Sequence, residues 1–321
     1  MLGELKELFT RLAEASNNPV DVIWDYFQEL WSKGAERVTE GTWSVKEYYE
    51  KCGREVSLGE RRLEKIFFEM YYYLLKEAKK EPKLRTLFPQ KIPTAVIMDS
   101  MSLRESMLLA KEVEKIGYSV DKLTYDISSA PSDTDFYREK GFGVKGLNEL
   151  RHRKDFKTIT ILREGDLEVL GRVVNPTLIW SGFPDTLFEA GALSYDSVYE
   201  KTRQVFTTIL ERTRAEVLIV TSDHGYLAET ERWSLPDEHS RFLERNFKAE
   251  RYALRTTLKP EVLDWLESLP EEISYFVLDE KYVYVRGGYM WTTRGKPPAS
   301  FHGGVSPMEI FVPFMILRRG A

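Results

Sequence analysis

The spacing of apolar and polar positions changes character once along the chain. Over the first ninety residues, apolar side chains recur at helical intervals. After Asn18-Pro19, a proline suited to a first helical turn, come Val20, Ile23, Trp24, Phe27, Leu30 and Trp31. Ser44-Val45-Lys46-Glu47 and Ser57-Leu58-Gly59-Glu60 both match a capping box. The second is expected to open a long helix carrying Leu63, Ile66, Phe67, Met70, Tyr71, Leu74 and Leu75. So wide and aromatic a stripe reads as the core of a helix bundle.

Pro82, Pro89 and Pro93 then punctuate a charged stretch. They place a boundary between a helical domain, residues 1–90, and a second domain, residues 91–321. Beyond it, residues 94–98 form a short continuous apolar run, as expected of a strand covered on both faces. Similar runs lie at 158–162, 177–180 and 216–220, with helical patterns at 104–115 and 197–213. Residues 282–285 and 309–317 read as later strands. Alternating strands and helices predict an α/β fold, a mainly parallel sheet with helices on both faces, preceded by the helical domain.

Composition narrows the classes. With 46 basic and 51 acidic residues the net charge is −5, unlike a generic nucleic-acid coat. A single cysteine, Cys52, excludes an intramolecular disulfide framework and cysteine-rich zinc modules. No apolar run reaches the length of a membrane helix, and the first residues lack a basic start followed by an apolar core. A cytoplasmic protein without a membrane partner is expected.

In open α/β sheets, ligands bind beyond the carboxyl ends of the strands. Asp99 follows the first apolar run, Ser181-Gly182-Phe183-Pro184-Asp185 the third, and Thr221-Ser222-Asp223-His224-Gly225 the fourth. Phe301-His302-Gly303-Gly304 stands before the last strand. Carboxylates gathered at one edge repel one another unless a cation neutralises them. Mixed Asp, Glu and His donors suit zinc or manganese. Two such ions about 4 Å apart can clamp a phosphate.

The order Asp99, Asp185, Ser222-Asp223-His224-Gly225 and His302-Gly303-Gly304 resembles the alkaline phosphatase superfamily. More closely, it resembles the PglZ domain within that superfamily. The carrying pieces are Val96-Ile97-Met98-Asp99-Ser100-Met101, Pro184-Asp185-Thr186-Leu187-Phe188-Glu189, Ile219-Val220-Thr221-Ser222-Asp223-His224-Gly225 and His302-Gly303-Gly304-Val305-Ser306-Pro307-Met308-Glu309. Together they span roughly residues 94–318. The resemblance implies an alkaline phosphatase-like fold and two zinc ions per chain, with manganese an alternative. One would sit on Asp99, Asp223 and His224, the other on Asp185, Glu189 and His302. The family usually has His or Asp where this chain has Glu189.

The nucleophile implied by the resemblance lies in Ala130-Pro131-Ser132-Asp133-Thr134-Asp135. Thr134 is favoured, with Ser132 the alternative. A hydroxyl is a weak nucleophile until a base or metal activates it. Arg104, shortly after Asp99, is the candidate to bind a substrate phosphate with its planar fork. The chain has no Cys or Ser in a sulfatase context near Asp99, no P-loop and no dinucleotide fingerprint. His239 and the basic run Arg151-His152-Arg153-Lys154 read as surface.

The expected activity is therefore metal-dependent phosphoester hydrolysis, of nucleotide or oligonucleotide phosphodiesters rather than monoesters. The alternative is a non-catalytic interaction module of a phage-defence or signalling complex, its metal site structural or vestigial. A protein partner would then dock on the helical domain through Trp24, Trp31, Trp43 and Tyr71-Tyr72-Tyr73.

Overall fold

The computed structural model describes residues 2–15, 18–173, 176–191, 194–247, 250–270, 274–291 and 300–320. Helices Leu2–Glu14, Pro19–Thr39, Val45–Ile66, Met70–Ala78 and Lys83–Leu87 open the chain. The first capping box is real: Ser44 Oγ accepts from Glu47 N, and Ser44 N donates to Glu47 Oε2 at 2.9 Å. The second is not. Val45–Ile66 runs unbroken through Ser57, whose buried hydroxyl accepts from Trp233 Nε1 at 2.9 Å. A serine facing the core with Glu three residues on has the spelling of a cap without the free amides of a helix start.

The central sheet has six strands: β1 (Thr94–Met98), β2 (Tyr118–Ile127), β3 (Lys157–Ile161), β4 (Thr177–Ser181), β5 (Val217–Thr221) and β11 (Phe311–Arg319). Their spatial order is β2-β11-β5-β1-β4-β3. β11 pairs antiparallel with both β5 and β2, while β3, β4, β1 and β5 pair in parallel. Helices lie around the sheet, so the fold is the expected α/β. β2 was not among the expected strands, because it is an edge strand with polar residues such as Asp121 and Lys122 exposed midway.

Residues 282–285 do form a strand, but in a separate sheet. β7 (Tyr252–Leu254), β8 (Phe276–Leu278) and β9 (Tyr282–Val285) pair antiparallel in the order β7-β9-β8. With helices Asp237–Phe247 and Pro260–Ser268 they enclose a core of their own around Leu243, Phe247, Leu266, Phe276 and Trp291. The short strands β6 (Leu227–Ala228) and β10 (Ser300–Phe301) pair with each other.

The N-terminal helices share one apolar core with the main sheet: Trp24, Phe27, Trp31 and Tyr71 pack in the same cluster as Val96, Met98, Ile179 and Val220. Trp24 meets Tyr125 and Phe311 with ring centroids 5.2 and 5.5 Å apart. The stripe is core, as its periodicity suggested. Trp24, Trp31 and Tyr71, offered above as partner-binding aromatics, are thereby buried.

Candidate active site

The topology explains why residues distant in sequence meet. β5, β1 and β4 are neighbours, so the turns after them deliver Asp223-His224, Asp99 and Asp185 side by side. β11 is reversed, so its start lies at the edge where the other strands end. Phe311 pairs with Ile127 at the end of β2. The segment before β11, carrying His302, therefore faces the loop after β2, carrying Thr134.

Asp99, Asp223 and His224 form a cluster in which one donor atom from each lies within 4.8 Å of the others. Asp223 is fully buried, and its Oδ1 accepts from the amides of Ser100 at 3.2 Å and His224 at 3.0 Å. His224 Nδ1 lies 3.0 Å from the carbonyl of Gly225. A carbonyl only accepts, so Nδ1 carries the hydrogen and Nε2 is turned to the cluster. Nε2 is 3.6 Å from Asp99 Oδ1 and 3.8 Å from Asp223 Oδ2. Gly225 is required here, because a Cβ would stand 2.1 Å from the carbonyl oxygen of Met308.

Thr134 opens the helix Thr134–Phe142, capped by Asp133. Its Oγ1 is 2.7 Å from Asp223 Oδ2, 3.1 Å from His224 Nε2 and 3.4 Å from Asp99 Oδ1. The hydroxyl thus points into the cluster. Ser132 does not. Its buried Oγ donates to Gly304 O at 3.1 Å and accepts from Gly303 N at 2.9 Å. Ser132 is a tie between two loops.

His302 stacks on His224 with ring centroids 4.2 Å apart, and its Nδ1 lies 3.2 Å from the Ser132 carbonyl. Asp185 accepts from Ser100 Oγ at 2.7 Å. Glu189, at the other end of the helix Asp185–Glu189, is exposed. Among the described residues, Asp185, Glu189 and His302 do not close into a second cluster like the first.

Arg104 is not brought to the site. It is fully buried, paired with Glu231 at 3.2 Å, donating to Tyr226 O at 2.7 Å and lying over the Tyr226 ring. A guanidinium just after a strand end looked like a phosphate ligand; the first turn of helix Leu103–Glu112 points it into the core instead. His239 takes its place beside Tyr275, 3.0 Å from the phenol oxygen.

Sequence reasoning also missed the groups that hold the His302 segment. Arg251 and Glu309 form a wholly buried ion pair at 2.8 Å, and Glu309 Oε1 also accepts from Gly304 N at 2.9 Å. Only the Asp-His-Gly and His-Gly-Gly motifs signalled that region; nothing near Arg251 marks it as their support.

The electrostatics are those of a site built for positive charge. Burial, then the charges of Asp223 and Asp185, push the Asp99 carboxyl well above its usual range. Burial works against a charged His224, but Asp223, Asp99 and Asp185 outweigh it and push the imidazole up to about 9. Burial and the neighbouring His224 push His302 down. Although Glu189 is exposed, partial loss of solvent around its carboxyl and then the charge of Asp185 raise it. Clustered buried carboxylates with an imidazole turned toward them fit a divalent cation of the zinc or manganese kind.

No protein-family model matches the chain, and no curated protein sequence matches it. Among solved structures it is similar to phosphonoacetate hydrolase from Sinorhizobium meliloti 1021, in complexes with phosphonoformate and with phosphonoacetate. The identity is 11% and the TM-score 0.26, over 73% of this chain and 67% of that one. It is also similar to alkaline phosphatase PafA, at 10% identity and a TM-score of 0.24, over 46% of this chain and 42% of that one. At such scores neither likeness argues for an activity. That argument rests on the site. Among the described residues, no helix is long and apolar enough to cross a membrane.

Proposed function

We propose that the chain is a metal-dependent phosphoester hydrolase of the PglZ kind within the alkaline phosphatase superfamily, with Thr134 as nucleophile. The observation that carries this is the Thr134 hydroxyl, 2.7 Å from Asp223 and 3.1 Å from His224 in the one cluster. Zinc or manganese held by Asp99, Asp223 and His224, and a second ion by Asp185 and His302 with Glu189 at the rim, would neutralise charge on the phosphoryl group.

Asp223 Oδ2 would accept the Thr134 hydrogen as the threonine oxygen attacks phosphorus in line. The phosphorus–oxygen bond to the leaving alcohol breaks, and the proton taken from Thr134 passes on to the leaving oxygen. Water then cleaves the threonine ester, its hydroxyl going to phosphorus and its remaining hydrogen restoring the Thr134 hydroxyl. Asp99, Asp223 and His224 keep their place because each is tied to backbone or to its neighbours rather than to solvent.

A phosphodiester, such as a nucleotide or oligonucleotide linkage, suits the site better than a monoester. A diester brings one negative charge and a monoester nearly two. Arg104, the guanidinium expected to bind a phosphate, is instead paired with Glu231. The test is hydrolysis of bis-p-nitrophenyl phosphate with added zinc or manganese by wild type, Thr134→Ala and Ser132→Ala. Turnover by wild type that vanishes in Thr134→Ala and survives in Ser132→Ala is expected. No turnover with either metal, or turnover kept in Thr134→Ala, would overturn the assignment. The first of these results would also turn attention to a non-catalytic interaction module.

A further inference from the structure

The catalytic groups occupy the edge of the sheet where β1, β4 and β5 end. The edge where β1 and β5 begin holds a cavity of its own. Its volume is about 610 Å³, within the roughly 300–1,000 Å³ of small-molecule pockets. Thr94 and Val217, the first residues of β1 and β5, line it together with Ile316 and Arg318 of the reversed β11. Both parallel strands are five residues long. At about 3.3 Å per residue they set the cavity roughly 16 Å from the catalytic edge.

Charge is unevenly arranged around this cavity. Arg318 is paired with Asp121 at 2.7 Å. Lys91, Arg172 and Arg214 also line it, are exposed, and make no ion pair or side-chain hydrogen bond among the described residues. Glu216, on the same lining, is likewise unpaired among the described residues. Three cations less one carboxylate leave +2 on the unpaired groups, in a chain of net charge −5. Arg214 follows helix Tyr195–Thr213 with a φ of +49°, a left-handed conformation that favours glycine. Strain of this kind persists where something requires the side chain.

Behind the cations the lining is apolar. Ile92, Thr94 and Ala215 are buried there. Thr94 is only 2% exposed, and its hydroxyl has no hydrogen-bond partner among the described residues. A buried hydroxyl left so is costly, and a ligand atom reaching the floor would supply the partner.

We propose that this cavity is a binding site for a nucleotide-sized organic phosphate. The phosphate sits on Lys91, Arg172 and Arg214, and the organic body covers Ile92, Val173 and Ala215. A phosphate monoester carries nearly two negative charges at neutral pH, which matches the +2 of the unpaired groups; a carboxylate brings one. Guanidinium forks fit phosphate oxygens in pairs. The apolar floor favours a ligand with a body over inorganic phosphate. The site stands apart from the catalytic edge and does not depend on Thr134.

The test is calorimetric titration of the full chain with AMP in the presence of EDTA, paired with thermal melting. Without a cation the carboxylates around Thr134 repel phosphate, so the binding read belongs to the far edge. Wild type is expected to bind one AMP per chain. Arg214→Gly accepts the backbone conformation without strain and should melt close to the wild-type temperature or above it. Its AMP affinity should fall about 10- to 100-fold, the scale of one charge-assisted hydrogen bond. Arg172→Ala should lose a similar factor with its melting unchanged. Inorganic phosphate, which lacks the body, and adenosine, which lacks the charge, should each bind at least about tenfold more weakly than AMP. No AMP binding by wild type, AMP affinity unchanged in both arginine variants, or adenosine or inorganic phosphate binding as tightly as AMP would each overturn the proposal.

Discussion

The hydroxyl of Thr134 lies 2.7 Å from the carboxylate of Asp223, although 89 residues separate them. One residue is capped into place by Asp133 at the start of a helix, the other hangs from the end of β5. Neither carries chemistry alone. Together they put an oxygen nucleophile against an acceptor in a pocket of negative charge. Removing the hydroxyl while keeping the shape separates the two contributions. Thr134→Val should lower kcat for bis-p-nitrophenyl phosphate by roughly 10³-fold or more, as loss of a nucleophile does. Thr134→Ser, which keeps the oxygen, should stay within about tenfold. Zinc affinity measured alongside shows whether the site remains intact in both.

How much of this was legible beforehand follows from where each signal sits. Buried strands β1, β4 and β5 announce themselves as apolar runs, and the carboxylate after each is read directly. The reversed β11, which brings His302 opposite Thr134, has the same apolar spelling as a parallel strand, so direction was not in the pattern. β2 was lost because an edge strand need not be apolar. Arg104 was misread because a guanidinium facing a buried Glu231 and one facing a phosphate are spelled alike. Arg251 and Ser100 were invisible for the same reason: their partners lie 58 and 85 residues away.

Ser132 now has a structural assignment that can be tested apart from catalysis. Its Oγ closes on Gly303 N and Gly304 O, joining the Thr134 loop to the His302 segment. Gly303 itself sits at φ +102°, where a side chain would be strained. Ser132→Ala leaves a buried amide and carbonyl unmade, at a cost of about 1–3 kcal/mol. Denaturant unfolding should show that loss. Turnover should fall through misplacement of His302 but not vanish. An unchanged midpoint would remove the tie from the account.

Arg104 and Glu231 make the same kind of prediction in the core. Their ion pair at 3.2 Å is fully enclosed. Removing one partner strands a buried charge, and such losses run to about 3–5 kcal/mol. Arg104→Met should therefore unfold at lower denaturant, while kcat per folded molecule and KM stay close to wild type. A raised KM with unchanged stability would instead return Arg104 to the substrate.

His224 gives zinc uptake a pH dependence. In the metal-free protein its imidazole is raised from 6.5 to about 9, burial being outweighed by Asp223, Asp99 and Asp185. A raised group stabilises the metal-free fold fully below 6.5, and that contribution is lost as pH rises through 9. A cation must displace the same proton, so zinc affinity runs the other way. It should rise about tenfold per pH unit from 7 towards 9 for this one proton, then level. Calorimetry in buffers of different ionisation heat should count a proton released at pH 7.5. No proton release there would show that His224 is not the ligand displaced.

Glu60 sets a second pH dependence, away from the reacting groups. It is fully buried where the N-terminal helices meet the segment after His302, accepting from Ser306 Oγ at 3.1 Å and Tyr71 at 3.3 Å. Burial, opposed by the Ser306 hydrogen bond and aided by the charges of Glu64 and Glu309, raises its carboxyl from 4.5 to about 8. The unfolded chain loses this proton near 4.5 while the folded chain keeps it until about 8. Folded protein thus binds the extra proton throughout that window, and stability falls as pH rises across it, by up to about 1.4 kcal/mol per unit. Above 8 the contribution is gone. Glu60→Gln keeps the shape and the amide's hydrogen bonding but cannot ionise. Its unfolding free energy should exceed that of wild type at pH 8.5 and approach it at pH 5, when both are measured by urea titration. A constant difference between the two proteins across that range would place the ionisation of Glu60 elsewhere.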